Sequence, residues 1–411
     1  MSQFECPVVR VTIEPHDNAD SLEIARVGGF MSIVKKGQFK TDELAVYLPE
    51  QSVLPEWLLK HMGMWDEING KGKLSGSAGN RIKAIKLRGV LSQGILVGGP
   101  QKSYGAVNPA HAMLPIHFIS EHGTPAGSYD AHVCLSEGEC AAEVMGVTKY
   151  EPKVPANMAG RIAGGDLDAT IGYDFENIKK FPSLFEDGEL VAMTEKIHGT
   201  FVQIGLIPEA IWSGKAWADK MADIMFGDLK YKAVVTSKGQ GAKGLLLDTT
   251  DTGNLYVKIA SELLLWNRLL TLRQELGLPN DKPIFLLGEI FGPGVQDGFT
   301  YGQGGHTFRA FDIYVGTRSD GYFVDYHAMI ALCGDAGVDM VPLLYFGPFT
   351  AAALAMHTDG ETRMTSSNPH MREGVVVKAV SEARHPRYGR KIAKSVSEAY
   401  LLRKGATTEF N

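Results

Sequence analysis

The stretch ELVAMTEKIHGTFVQIGLI, residues 189–207, decides how the rest of the chain is read. Leu190–Met193 and Phe201–Leu206 are apolar runs of strand length, and they look like two strands joined near His198-Gly199. Lys196 and His198 are two residues apart, so on a strand they would share a face. Such groups are costly if buried without partners. One reading is a strand end or turn with solvated charges. The other makes Lys196 a nucleophile. The pattern around it has to decide.

Downstream, apolar segments of strand length recur, and charged residues mark their ends. KPIFLLGEIFG (282–292) carries Glu289, and MREGVVVKAV (371–380) is led by Glu373 and closed by Lys378. RKIAKSVSEAYLLRK (390–404) holds Lys391 and Lys394 and moves from strand to helix, while FRAFDIYV (308–315) has Asp312 inside it. Leu255–Leu278 has apolar residues at helical spacing and ends near a glycine, which reads as a helix. Strands and helices without strict alternation predict an α+β domain with mainly antiparallel sheets. One charged strand end is ordinarily solvated. Several of both signs, converging, suit a nucleotide triphosphate and its magnesium: lysines for phosphates, carboxylates for metal or ribose. No G-x-x-x-x-G-K-[ST] loop is present, which excludes a P-loop enzyme.

Residues 8–100 differ in texture. VVRVTIEP, LEIARVGGFMSIVKK, ELAVYLPE, RIKAIKLRGV and QGILVGG are short β-rich runs split by Gly, Pro, Asn and Asp, the pattern of a small barrel or sandwich. Residues 101–160 are poorly patterned and read as a linker with one short helix around 140–145. The expected division is 1–100, a linker at 101–160, and a second domain over 161–411. The chain is 44% hydrophobic with a net charge of -6, which argues against a protein that coats nucleic acid over its whole surface. Two local basic stretches remain as candidates for phosphate contacts. One is Arg81, Lys83, Lys86 and Arg88. The other is residues 384–404, with seven Lys or Arg against one acid, Glu398. The four cysteines form no C-x-x-C pair, so a reducing compartment is expected. No apolar run is long enough to span a bilayer and the N-terminus lacks a signal pattern, so a cytoplasmic protein without a membrane partner is expected.

KIHGT resembles the nucleotidyl-acceptor motif of the covalent nucleotidyltransferases, the ligases and capping enzymes. The other motifs follow in the family's order: Ser237-Lys238-Gly239, LLGEIFGPG, FRAFDIYV, EGVVVK and KIAKS. His198 resembles the K-x-H-G of RNA ligases of the editing and repair type, where DNA ligases and capping enzymes usually have Asp. Many of those ligases continue with Asn after Thr, and this chain has Phe201. The last motif is looser than the usual K-x-K. IEPHDNADSLEIARVGG and IKLRGVLSQGIL resemble the OB-fold module of tRNA-binding proteins. OB module before ligase core is the layout of the Deinococcus-type nick-sealing RNA ligases.

The resemblance implies an N-terminal OB-fold β-barrel followed by an ATP-grasp-like adenylation domain. It implies ATP as AMP donor, with Mg2+ or Mn2+, and RNA or an RNA-containing nicked duplex as substrate. No obligate protein partner is evident. Lys196 would be the AMP-carrying nucleophile, helped by Lys391 and Lys394, whose charges would disfavour a protonated amine beside them. Main-chain groups of Glu195 and Ile197 would read adenine, with Gly199 close by. Lys238 and Lys378 would bind the nucleotide, Glu289 the ribose, and Glu373 a metal. Either Phe308 or Phe311 would stack on the base, with FDI favouring Phe311. A DNA ligase or guanylyltransferase, and a non-catalytic RNA-binding OB protein, are the competing readings. His198 and the N-terminal module argue against the first pair, and a poised lysine argues against the last.

Overall fold

The computed structural model describes residues 4–98, 111–116, 131–151, 159–238, 244–296, 298–367 and 369–403. The chain forms two compact units: residues 3–150 with 401–403, and residues 151–400. The described part of 131–150, assigned to a linker on sequence, therefore groups with the first unit. It contributes the strands Ala131–Ser136 and Thr148–Lys149 and the one-turn helix Ala142–Met145.

The first unit is built of short antiparallel strands, as the turn-punctuated sequence predicts. One sheet has the order Val8–Arg10, Leu44–Leu48, Ile95–Val97, and another runs Thr12–Pro15, Leu22–Val27, Phe30–Lys35. Two apolar clusters fill the unit, one around Leu48, Leu54, Leu58 and Ile82, the other around Val11, Ala25 and Phe39.

The second unit holds two larger antiparallel sheets. A four-stranded sheet has the order Leu343–Pro348, Leu190–Lys196, Gly374–Ala379, Ile392–Val396. A six-stranded sheet has the order Asp223–Phe226, Leu229–Ser237, Thr200–Pro208, Ile284–Phe291, Thr307–Val315, Tyr322–Phe323. Leu190–Lys196 and Thr200–Pro208 are interior strands of different sheets, and only Ile197-His198-Gly199 joins them. The stretch that opened the sequence is thus the hinge between the sheets. Helices Leu255–Glu262, Leu265–Glu275 and Tyr326–Asp335 bury their apolar residues on the outer face of the larger sheet. The segment read as one helix is two. Asn254 caps the first by accepting from the Tyr256 and Val257 N–H groups. The chain then breaks at Leu264, which takes a left-handed φ of 54°. Among the described residues no helix is long and apolar enough to cross a membrane.

Candidate active site

Strand alternation carries side chains from the smaller sheet into a cleft in the second unit. The register pairs Thr194 with Val376, Val376 with Lys394, Ala192 with Lys378, and Lys378 with Ile392. Thr194, Lys196, Val376, Lys378, Ile392 and Lys394 therefore share one face, and all six line the cleft. The opposite face, with Val191, Met193, Val377 and Ala393, is apolar core. Lys391 is three residues from Lys394 and so belongs to that other face. It pairs with Glu189 at 2.7 Å and does not line the cleft. The expectation that it assists Lys196 is corrected for this reason. A K-x-K spacing would need lysine at 392, and Ile392 stands there.

The larger sheet supplies the other wall. Phe201 pairs with Glu289 in register, so both project to the cleft. On the next strand a bulge intervenes: Gly288 pairs with Ala310, but Leu287 pairs with Asp312. Phe311 is the extra residue, and the alternation reverses across it. Phe308 and Ala310 before it, and Ile313 and Val315 after it, all pack toward the helices, while Phe311 and Asp312 both reach the cleft. Of the two aromatics, Phe311 lines the cleft and Phe308 does not. Phe308 is buried in the core with its ring over Gly288, where an added Cβ would meet it at 2.2 Å.

At the centre, the Lys196 ammonium donates to the Glu373 carboxylate, which is fully buried. His198 Nδ1 lies 3.7 Å from the other Glu373 oxygen. The His198 ring is boxed by Phe299 and Tyr400, and the Tyr400 hydroxyl lies 3.1 Å from Nδ1. The His198 N–H donates to the Tyr301 hydroxyl at 2.6 Å, and Gln296 Nε2 donates to the Gly199 carbonyl at 2.9 Å. Gln296, Phe299 and Tyr301 therefore brace the hinge. Gly199 has no room for a side chain, since a Cβ would meet the Ile290 carbonyl oxygen at 2.3 Å. The Glu195 side chain points away from the cleft, where it accepts from the Thr362 hydroxyl and, at 2.7 Å, from the Arg363 N–H. Glu289 keeps an edge open to the cleft. Burial pushes its carboxyl up to about 8; Lys196 pulls it down and Glu373 pushes it up. Lys238 lies 3.5 Å from Asp174 at the rim; Gly239 falls outside the described residues.

The far end of the cleft holds rings. Tyr173 stacks on Phe311 and Phe201, with centroids at 5.3 and 5.5 Å. Phe201, standing where an Asn is usual, thus extends an aromatic floor. Behind it Asp312 is fully buried and takes Lys378 at 2.8 Å, Arg390 at 2.9 and 3.0 Å, and the Tyr173 hydroxyl at 2.5 Å. Burial alone would raise this carboxyl, but Arg390 and Lys378 hold it well below the usual carboxylate range. Lys378 lines the cleft, yet its ammonium is committed to Asp312 and the Phe311 carbonyl. Tyr173 was not singled out on sequence, and Phe201 was noted there only as a departure from the usual Asn. Tyr173 lies outside regular elements and gave no periodic signal, whereas strand alternation could have found Thr194, Val376 and Ile392.

The expected nucleic-acid residues lie in the first unit. Lys86 and Arg88 are exposed at a hairpin whose tip is Arg88-Gly89, and Lys83 is half-buried. Arg81 is buried, with its guanidinium 4.1 Å from the Tyr150 ring centroid. Arg81 is therefore a packing residue, which corrects its assignment to phosphate.

The space in and before the cleft, open solvent at its mouth included, is about 920 Å³. An RNA ligase family model matches residues 189–396, and an OB-fold domain model matches residues 7–98. No curated protein gives a match. Among solved structures, a variant of Naegleria gruberi RNA ligase with ATP and Mn matches at 22% identity and a TM-score of 0.64, covering 96% of this chain and 97% of that one. Another variant of that ligase with AMP and Mn, and the ligase with PPi, match with the same identity, coverage and TM-score of 0.64. These likenesses show the fold over nearly the whole chain.

Proposed function

The chain belongs to the RNA ligase family, and from that premise we propose that it is an ATP-dependent RNA ligase in which Lys196 carries AMP. The observation that carries the reading is the Lys196 ammonium held on buried Glu373 in a cleft that also receives Glu289, Lys238, Lys394 and Phe311. ATP is the donor: Phe311 stacks on adenine, main-chain groups of Glu195 and Ile197 meet its edge beside Gly199, Glu289 bonds the ribose, and Lys238 and Lys394 take phosphates.

Among the described residues no cluster of three or more His, Cys, Asp or Glu is poised for a metal. Glu373 would be the residue to hold a magnesium or manganese ion arriving with the nucleotide. Once bound, the metal neutralises phosphate charge.

An ammonium is no nucleophile, so Lys196 must first lose a proton, and Glu373 is in contact to accept it. The amine then attacks the α-phosphorus; the N–P bond forms and the bond to pyrophosphate breaks. In the second step an oxygen of the RNA 5′-phosphate attacks the same phosphorus, and Lys196 departs and regains its proton. In the third, the 3′-OH attacks the activated 5′-phosphorus and AMP leaves. The proposed substrates are 3′-OH/5′-phosphate breaks, chiefly nicks in duplexes with RNA on the 3′-OH side. Cys6, Cys140 and Cys333 are free thiols, which supports a cytoplasmic setting.

The test is incubation with labelled ATP or GTP and a divalent metal, followed by a denaturing gel, with Lys196→Ala alongside. Label from ATP that vanishes in the variant is expected. Label from GTP alone would make it a capping-type enzyme, and none from either would end the enzymatic reading. Sealing of nicks with RNA or DNA on the 3′-OH side then reads the sugar preference.

A further inference from the structure

The second basic stretch, around residues 384–391, is absorbed only in part by the active site. Arg384–His385 and Gly389–Arg390 pair as a short hairpin. Arg390 leaves this hairpin inward, to Asp312 and Glu382. Arg384 and Arg387 are exposed, and no acid lies within ion-pair distance of either among the described residues. Between them the hairpin builds a column of rings. His385 stacks on Tyr388 at 4.4 Å and 13°, and Tyr388 stacks on Phe181 at 4.5 Å and 17°. The Arg387 guanidinium lies over Tyr388 at 5.5 Å.

The His385 ring is fixed in orientation. Its Nδ1 accepts from the main-chain N–H groups of Arg387 and Tyr388 at 3.2 and 3.3 Å. A main-chain N–H can only donate, so Nδ1 is the bare nitrogen and the proton sits on Nε2. The hairpin thus presents two exposed guanidiniums beside a rigid ring stack. Exposed cations flanking stacked aromatics are the means by which proteins hold nucleic-acid strands.

The hairpin also continues directly into the strand that carries Lys394 into the cleft. Four residues separate Arg390 from Lys394, about 13 Å at strand rise. A strand whose 5′-phosphate lies at Lys196 and Lys394 would pass the hairpin within a few nucleotides.

We infer that the hairpin 384–390 is a binding surface for the phosphodiester backbone of the RNA substrate, with Arg384 and Arg387 taking phosphates next to the break. This rests on the ligase reading, and the two can fail separately.

The test is the double variant Arg384→Ala/Arg387→Ala in the full chain. Both side chains are exposed, so folding is not at risk. Formation of the labelled Lys196 adduct from ATP without RNA is expected to be unchanged. Binding of a nicked RNA duplex should weaken about tenfold, and the slope of log affinity against log salt should fall by about 2, one for each lost phosphate contact. Unchanged RNA affinity and salt slope alongside normal adduct formation would overturn the inference and leave the surface to another partner. Absence of the adduct in the parent protein would instead overturn the ligase reading itself.

Discussion

Asp312 and Glu373 are both fully buried carboxylates at one cleft, one behind the aromatic floor and the other beside the nucleophile. Asp312 is enclosed by two cations and a phenol, and its charge is locked in. Glu373 holds Lys196 on one oxygen, has His198 Nδ1 3.7 Å from the other, and pushes up the carboxyl of Glu289 nearby. The first arrangement resembles a structural ion network, in which every partner offsets the cost of burial. The second sets two carboxylates, Glu289 and Glu373, around the cleft-facing Lys196, in the cleft that Lys238 and Lys394 also line.

Neutral isosteres should separate the two roles. Glu373→Gln removes the proton acceptor in contact with Lys196, and formation of the AMP adduct should fall by about 10²–10⁴-fold. Its melting temperature should fall less than that of the Asp312 variant, because Lys196, the cation left without this carboxylate, is partly open to the cleft. Asp312→Asn leaves Lys378 and Arg390 buried without their carboxylate, which should cost about 3–5 kcal/mol, seen as a lower melting temperature. Adduct formation by the protein that stays folded should remain within about tenfold. If Asp312→Asn abolishes the adduct without lowering the melting temperature, the contrast between the sites is wrong.

Glu289 gives a smaller and more specific test. Its carboxyl rises from 4.5 to about 8 on folding. Below pH 4.5 it is protonated in both states. Between 4.5 and about 8 the unfolded chain ionises while the folded one keeps the proton, so stability falls as pH rises through that window. Glu289→Gln does not titrate. The variant should match the parent in acid and melt a few degrees higher near pH 8, at about 2–4 °C per kcal/mol for a unit of this size. Parallel melting curves across the window would mean that Glu373 and burial do not strain Glu289.

Much of this site was legible because period-2 alternation and charged strand ends are local signals. Lys196, Glu289, Glu373 and Lys394 sit in the cleft where the pattern put them. The bulge at Phe311 was not legible, since one inserted residue leaves no trace in composition. Without it Asp312 would share a face with Phe308 and Ala310 and point at the helix core, a position no carboxylate could occupy unpaired. Asp312 inside an apolar run was the sole hint. Tyr173 was invisible because it comes from irregular chain and its hydroxyl partner, Asp312, is 139 residues away. Arg81 was misjudged because a basic run says nothing about which side chain turns inward.

Lys391 tests the same parity argument at its weakest point. On sequence it belongs with Lys394 as a helper of the nucleophile; in the fold it faces Glu189 on the far side of the strand. Lys394→Ala should lower adduct formation by about a hundredfold, through loss of a cation aimed at the phosphates. Lys391→Ala should change it by less than about threefold and cost about 1 kcal/mol, the scale of a pair near the surface. Equal losses in the two variants would mean that the strand shifts by one residue when nucleotide binds. Such a shift would turn Lys391 into the cleft and Lys394 out of it. The register with Gly374–Ala379 makes that expensive, because it would also turn Ala393 and Ser395 to the cleft and Ile392 into the packed face.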